Sequence, residues 1–290
     1  MDVTRILAGI VLYNPELYRL KENIDAILPQ VELLVLVDNG CKTDDYNQLI
    51  RGKDKIVVIN HGKNLGIATA LNSILHYALD YKYDWVLTLD QDSVSPANLI
   101  DVYKEIIPGK TRLGMVCCKI HDRNATMLRE ESKLQKDDFI EQCITSASMV
   151  NVKSWQDVGG FDDKMFIDGV DFDFCLMLKD KGWRIFKTYK VQLLHEVGHS
   201  KVIKIFGKEY LSLNHSPFRY YYIIRNGIYV GRKHHFVFKS LLIVARTFWT
   251  VLRYEHPKRK KISKMLKGFV DGFIIRISKP SERTNNEIID

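Results

Sequence analysis

Four short apolar runs, each unbroken and each closed by a polar turn, constrain this chain more than any other feature. They are RILAGIVLY at residues 5–13, ELLVLVD at 32–38, IVVI at 56–59 and WVLTL at 85–89. Runs of this length without alternation fit strands covered on both faces, as in a parallel sheet flanked by helices. Between them lie LYRLKENIDAIL and ATALNSILHYALD, whose apolar residues recur at helical spacing, and a polar stretch TDDYNQLIRG. Strands alternating with helices build βαβ units, so the expected class is α/β with a mostly parallel sheet. A fifth strand, LGMVCCKI at 113–120, follows a helix after Pro96. Residues 121–138 lack periodicity and are expected to form a mobile excursion, a candidate lid. Short strands near 140–152, a turn at Gly159-Gly160, a helix over about 171–181 stopped by Gly182 and strands near 184–195 follow, and the remainder is expected to be helical and basic.

The 290 residues suffice for one large domain or a domain with an appendage. Five cysteines, an odd number without C-x-x-C spacing, suggest neither a disulfide framework nor a zinc site and predict a reduced, cytoplasmic chain. The N-terminus MDVTRILAGIVLYN does not read as a signal peptide. FVFKSLLIVARTFWTVL, the most apolar late segment, is interrupted by Lys239 and Arg246 and is short for a bilayer span. The net charge of +8 is uneven: residues 201–290 carry 19 Lys+Arg against 6 Asp+Glu, leaving 24 against 29 in residues 1–200. Basic residues interleaved with Phe, Trp, Leu and Ile suit an anionic membrane surface as well as an ordinary solvated face. Nucleic acid ranks below both, because no recognised motif accompanies the charge.

The chemistry-bearing residues gather where the strands end. In an open α/β sheet, ligands bind beyond the carboxyl ends of the strands. Tyr13-Asn14-Pro15 follows the first strand, Asp38-Asn39-Gly40 the second, Asn60 to Gly66 the third, and Asp90-Gln91-Asp92 the fourth. Asp38 can accept a pyrimidine N–H, while Asn64 and the Gly66 backbone at a helix start suit a ribose or diphosphate. These same residues also serve simple turns. Asp90 and Asp92 repel unless something positive lies between them. A hard divalent cation is one answer, and capping at Ser93, Ser95 and Pro96 is the other. Acids at 162, 163, 168, 171 and 173 crowd the start of a helix, more than favourable interaction with the helix dipole requires. His195 ends a strand, as a structural imidazole or as a ligand completing a metal shell with Asp92.

GIVLYN at 9–14, LVDNG at 36–40, NLGIATALN at 64–72, LDQDS at 89–93, GGFDDKMFIDGVDFDFCL at 159–176, LLHEVGHS at 193–200 and SPFRYYYIIRN at 216–226 occur in order. Together they resemble glycosyltransferase family 2, with the GT-A fold, and within it the rhamnosyltransferase-like branch, over roughly residues 5–235. The resemblance implies a Rossmann-like catalytic domain over 1–200, with a nucleotide-sugar half at 1–93 and an acceptor half at 94–200, and a basic, amphipathic helical region at 201–290. It implies that Asp38 contacts the base of a nucleotide diphosphate-sugar, with Tyr13, Asn14 and Gln91 nearby and Asn64 and Gly66 along the ribose and diphosphate. Asp90 touches the ribose or the metal, Asp92 holds Mn²⁺ or Mg²⁺, and His195 matches a metal-binding position of galactofuranosyl-transferring relatives. Asp171 matches the catalytic base, with Asp168 a further candidate. Two positions depart from the pattern: Val170 replaces the first acid of a Glu-Asp pair, and Met177 replaces an arginine near the diphosphate. Arg219 and Arg225 are candidates to supply that charge.

The implied reaction is inverting transfer of L-rhamnose from dTDP-rhamnose to a hydroxyl of a growing cell-surface polysaccharide or lipid-linked oligosaccharide, with the protein peripheral at the inner membrane face. A UDP-dependent galactofuranosyl or hexosyl transferase is the alternative donor reading. A catalytically degenerate, membrane-docked scaffold is the alternative of another class. Nucleotidylyl transfer fits less well, because LAGIVLYNPE lacks a Gly-rich, Arg-containing loop.

Overall fold

The computed structural model describes residues 4–122, 136–195, 201–205, 208–212 and 214–277. In chain order the elements are β1 (Ile6–Leu12), α1 (Leu17–Ile27), β2 (Leu33–Asp38), α2 (Asn47–Ile50), β3 (Ile56–Asn60), α3 (Ile67–Asp80), β4 (Trp85–Asp90), α4 (Leu99–Ile106), β5 (Leu113–Asp122), β6 (Asp138–Ile140), β7 (Ser148–Asn151), α5 (Val152–Val158), α6 (Val170–Asp180), β8 (Arg184–His195), β9 (Lys201–Ile205), β10 (Lys208–Ser212), α7 (Pro217–Lys233), α8 (Val237–Tyr254) and α9 (Lys258–Ile274). The four apolar runs are β1 to β4, and the polar stretch between β2 and β3 contains only the single turn α2.

Eight described strands form one sheet in the order β3-β2-β1-β4-β7-β5-β8-β6. β1 pairs in parallel with both β2 and β4, β2 pairs in parallel with β3, and β5 with β8. β7 is antiparallel to β4 and β5, and β6 is antiparallel to β8. The chain order reverses between β1 and β4, so the crevice between their carboxyl ends is the topological switch point where ligands bind in such sheets.

Alternate residues of the central strands fill two layers. Ile6, Ala8, Ile10 and Leu12 pack with Leu20 and Ile24 of α1 and Tyr103 of α4 on one face. Leu7, Val35 and Val37 pack with Ile74 and Leu75 of α3, Trp155 of α5 and Phe174 of α6 on the other. Each such aliphatic side chain, fully buried, contributes roughly 1.5–3 kcal/mol. Gly9 faces α3 because a β-carbon there would collide with the Ile74 side chain.

Two parts of the late chain differ from the sequence reading or fall outside it. Residues 201–205 and 208–212 are not helical: β9 and β10 pair antiparallel from Lys201↔Ser212 to Ile205↔Lys208. The β-branched Val202, Ile203 and Ile205 favour extension, a preference that net basicity obscures. The candidate lid lies mostly outside the described residues. Only its ends are seen, with residues 121–122 in β5 and Asp138 opening β6.

The last three helices have a core of their own, with Ile224 and Ile228 of α7, Val244 and Val251 of α8 and Met265 of α9. α7 also belongs to the sheet layer, since Tyr229 and Val230 pack in the cluster that contains α6. Lys233 at its end pairs with buried Asp162 at 2.8 Å and Asp173 at 2.6 Å, and His234 contacts Asp173 at 2.9 Å. Among the described residues, no helix is long and apolar enough to cross a membrane.

Candidate active site

The site is built at the β1/β4 switch point. β1 and β4 end in register, with Val11 opposite Asp90, and Leu12 lies opposite Asp38 of β2. Gln91 stitches the first and fourth loops together. Its Oε1 accepts the Tyr13 N–H at 2.9 Å, and its Nε2 reaches the Tyr13 carbonyl at 3.4 Å. Asn14, at a positive φ of 48°, accepts the Lys42 N–H at 2.9 Å and so ties the first loop to the second. The loop residues expected at a nucleotide therefore do meet at one edge, held by one another.

Asp38 is almost fully buried and organises its own loop. One carboxylate oxygen accepts the N–H groups of Gly40 (3.0 Å) and Cys41 (2.7 Å), and the other accepts the Tyr46 hydroxyl at 2.8 Å. Burial pushes this carboxyl up, but the hydrogen bonds outweigh it and hold it below the usual carboxylate range. Asn39 joins the second loop to the third: its Oδ1 accepts from Leu65 N–H at 3.0 Å and its Nδ2 reaches Asn64 Oδ1 at 3.2 Å. Asn64 in turn accepts the Gly66 N–H at 2.9 Å.

Packing gives a reason of its own for glycine at position 66. At φ 91° a β-carbon would lie 2.7 Å from the Phe166 carbonyl oxygen, and that carbonyl accepts the Ile67 N–H at 2.8 Å. The first turn of α3 is thus partly capped by the 166–169 loop. Asn72, inside the same motif, holds that region from α3: it accepts from Trp155 Nε1 and Phe161 N–H and donates to the Phe161 carbonyl and Asp163.

The five crowded acids separate into two groups. Asp162 and Asp173 are the buried partners of Lys233, and Asp162 also accepts the Tyr229 hydroxyl at 2.6 Å. Asp163 accepts from Asn72. Only Asp168 and Asp171 turn toward the Asp90 end of the sheet. Asp171 lies in the first turn of α6, following Asp168 and Gly169 at positive φ of 65° and 79°. Its carboxyl is pushed up to about 6, chiefly by burial and next by the negative charge of Asp90, with Asp168 adding less and hydrogen bonds from Thr145 opposing. That value suits a group that must hold and release a proton near neutral pH.

The two arginines offered for the diphosphate brace this loop. Arg219 pairs with both oxygens of Asp168 at 2.9 and 3.1 Å through Nε, and at 2.9 Å through Nη2. Arg225 donates to the Lys164 carbonyl and stacks over Tyr222, while Asn226 donates to the carbonyls of Ile167 and Asp168, each at 2.7 Å. Arg219 remains half exposed beside the site, whereas Arg225 is committed to the Lys164 carbonyl and the Asn226 side chain.

Asp90 and Asp92 provide the oxygen donors that suit a hard divalent ion, and the charge of Asp90 helps to raise the Asp171 carboxyl. Among the described residues, no three His, Cys, Asp or Glu side chains converge as a metal cluster. His195 does end β8, with its backbone opposite Asp122, but its side chain lies outside the described residues.

Sequence reasoning missed Thr145 and Asn23. Thr145 touches Asp171 from a loop with no motif. Asn23 donates from α1 to the Asp90 carbonyl at 2.7 Å, and its signal was a polar residue on the otherwise apolar face of Leu20, Ile24 and Ile27.

Residues 8–148 match the model of glycosyl transferase family 2. The chain is 28% identical over 261 residues to the dTDP-rhamnosyl transferase RfbF of Shigella flexneri, covering 80% of this chain and 81% of that one. Close to half of this chain thus resembles glycosyl transferase family 2. The fold of this chain is GT-A, as in its structural neighbours. The structure of S. aureus TarS 1–349 in complex with UDP-GlcNAc superimposes with a TM-score of 0.62 at 14% identity, over 92% of this chain and 81% of that one. GalNAc-T7 with UDP, GalNAc and Mn²⁺ superimposes at 0.63 and 12% identity, over 94% of this chain, which spans 56% of that protein.

Proposed function

We propose that this protein is a family 2 glycosyltransferase that moves L-rhamnose from dTDP-rhamnose to a hydroxyl of a growing polysaccharide or lipid-linked oligosaccharide, with inversion at the anomeric carbon. The observation that carries the reading is a single carboxylate, Asp171, held in the first turn of α6 with its ionisation shifted toward neutral pH. The donor choice rests on the likeness to the Shigella protein.

In this reading the base docks against the second loop, and the loops stitched by Gln91 and Asn39 fix the ribose and diphosphate at the β1/β4 crevice. Asp171 accepts the proton of the acceptor hydroxyl as that oxygen attacks the face of the sugar opposite the diphosphate. Thr145 and the Arg219–Asp168 pair keep the α6 turn in place while this happens. No protein nucleophile is required, because the diphosphate is already a good leaving group. Asp90 and Asp92 would hold Mn²⁺ or Mg²⁺, which would supply Lewis-acid neutralisation of the departing diphosphate. His195 is the candidate third ligand.

Two measurements test this. Thermal unfolding with dTDP, UDP or GDP, each with and without Mn²⁺, ranks the donors; a ligand at a hundred times its dissociation constant stabilises by about 2.7 kcal/mol. The largest rise is expected with dTDP plus metal. A larger rise with UDP reassigns the donor to a UDP-sugar. Asp171→Asn is then expected to abolish transfer and leave nucleotide binding intact. A parent protein that binds nucleotide but transfers no sugar to any acceptor hydroxyl supports the scaffold reading instead.

A further inference from the structure

α8 and α9 each bury one stripe and leave an equally apolar stripe facing out. In α8 the inward residues are Ser240, Val244 and Val251, whereas Phe238, Leu242, Trp249 and Leu252 are exposed, Trp249 at 57%. In α9 the inward residues are Met265, Gly268 and Gly272, whereas Leu266, Val270, Phe273 and Ile274 are exposed, Ile274 at 73%. A groove of about 440 Å³ between the helices joins the stripes through Ala245, Phe248 and Leu266. Monomeric proteins rarely leave a continuous apolar platform of this kind without a use for it.

Among the described residues, the charge exposed around the platform has one sign. On α8 the row Lys239, Arg246 and Arg253, spaced seven apart, lies along one border of the outward stripe, and α8 contains no acid. α9 opens with Lys258-Arg259-Lys260 and continues with Lys264 and Lys267. Its one acid, Asp271, accepts the Tyr221 hydroxyl at 2.6 Å, and nearby Glu255 is buried with Lys261 at 2.8 Å. An apolar centre with a basic border, in helices too polar to cross a bilayer, is the pattern of helices lying in the plane of an anionic interface.

We propose that the outward face of α8 and α9 docks on an anionic phospholipid surface, with Phe238, Leu242, Trp249, Leu266, Val270 and Ile274 entering the headgroup boundary and the basic rows meeting lipid phosphates. Charge selects this occupant over a second copy of the chain, since face-to-face pairing sets like-charged borders against each other. The same helix reaches the transfer site: a cleft of about 360 Å³ between α7 and α8 is lined by Ile243 and Thr247 at one side and by Asp168 and Gly169 at the other. The docking does not depend on the sugar transferred, so its test and that of the transfer reaction fail separately.

The test uses the full chain with vesicles of phosphatidylcholine alone, or with about one third phosphatidylglycerol, in co-sedimentation at low and high salt. Binding is expected only with phosphatidylglycerol, weakened by salt, with a blue shift of tryptophan emission that Trp249→Phe removes. Leu242→Glu with Trp249→Glu is expected to weaken binding more than tenfold. Lys239→Gln, Arg253→Gln and Lys264→Gln are each expected to weaken it about fivefold. Circular dichroism and unfolding midpoints establish that each variant is folded. Should the double glutamate variant not fold, quenching of Trp249 in the parent protein by brominated lipid answers the same question. No vesicle binding, equal binding to both vesicle types, or binding unchanged in the folded variants overturns the proposal. A dimer in sedimentation velocity that the glutamates dissociate, without vesicle binding, reassigns the face to a second copy.

Discussion

Asp171→Asn separates the cost of the site from the stability of the fold. The carboxyl of Asp171 ionises at about 6 in the folded chain against an ordinary 3.8, because burial and Asp90 disfavour its charge. A raised carboxyl binds its proton more tightly in the folded state, so its contribution to stability is full below about pH 4 and is lost as pH rises to about 6. The difference corresponds to about 3 kcal/mol. Asparagine carries no charge at any pH and escapes that loss, while a weakened hydrogen bond to Thr145 returns about 1 kcal/mol. The variant is therefore expected to exceed the parent by about 2 kcal/mol at pH 8, a rise in unfolding midpoint of roughly 5 °C, and to match or fall below it at pH 4. The assay is thermal unfolding across pH in the presence of a chelator. Adding Mn²⁺ is expected to narrow the gap, by offsetting the charge of Asp90. A gap that does not change between pH 4 and pH 8 in chelator refutes the reasoning, since Asp171 would then ionise as freely in the fold as in the unfolded chain.

Thr145→Val removes the side-chain hydrogen bond to Asp171, which favours its ionised form, and leaves the backbone one; the acid limb of the transfer rate is expected to move to higher pH, read from kcat/KM against pH. Lys233→Met leaves Asp162 and Asp173 buried without their ammonium partner and is expected to destabilise by about 3–5 kcal/mol, measured by denaturant unfolding. Gly268→Ala places a β-carbon against the Tyr221 carbonyl oxygen across the α7–α9 contact, so despite the better helix propensity of alanine it is expected to lower the unfolding midpoint, by about 1–3 kcal/mol of overpacking.

The strands β1 to β4 were legible because a doubly covered strand must be apolar at every position, and the polar residues that interrupt each run then mark the carboxyl edge by themselves. The meeting of Tyr13, Asp38, Asn64 and Gln91 followed from that edge. The hairpin at 201–212 was not legible from charge, because basicity reports on surface and says nothing about backbone conformation. Gly66 was legible as a special glycine, but its packing contact was not, since the Phe166 backbone against which it packs lies a hundred residues away in the chain.

The acidic cluster shows most clearly where linear spacing misleads. Asp171 and Asp173 look like neighbours in sequence, yet two residues along a helix turn the side chain by about 200°. One carboxylate therefore faces the strand ends and the other faces Lys233 of α7, so their roles are opposite: Asp173 is neutralised by a buried ammonium, and Asp171 is left beside further acids. The helical period alone would have divided the pair, but which of the two faced the site depended on where α7 returned, sixty residues later. The same period, applied to α8, assigns Lys239, Arg246 and Arg253 to a single row and turns an interrupted apolar segment into a two-sided helix. Interruption at that spacing is what distinguishes a segment built to lie on a surface from one built to pass through it.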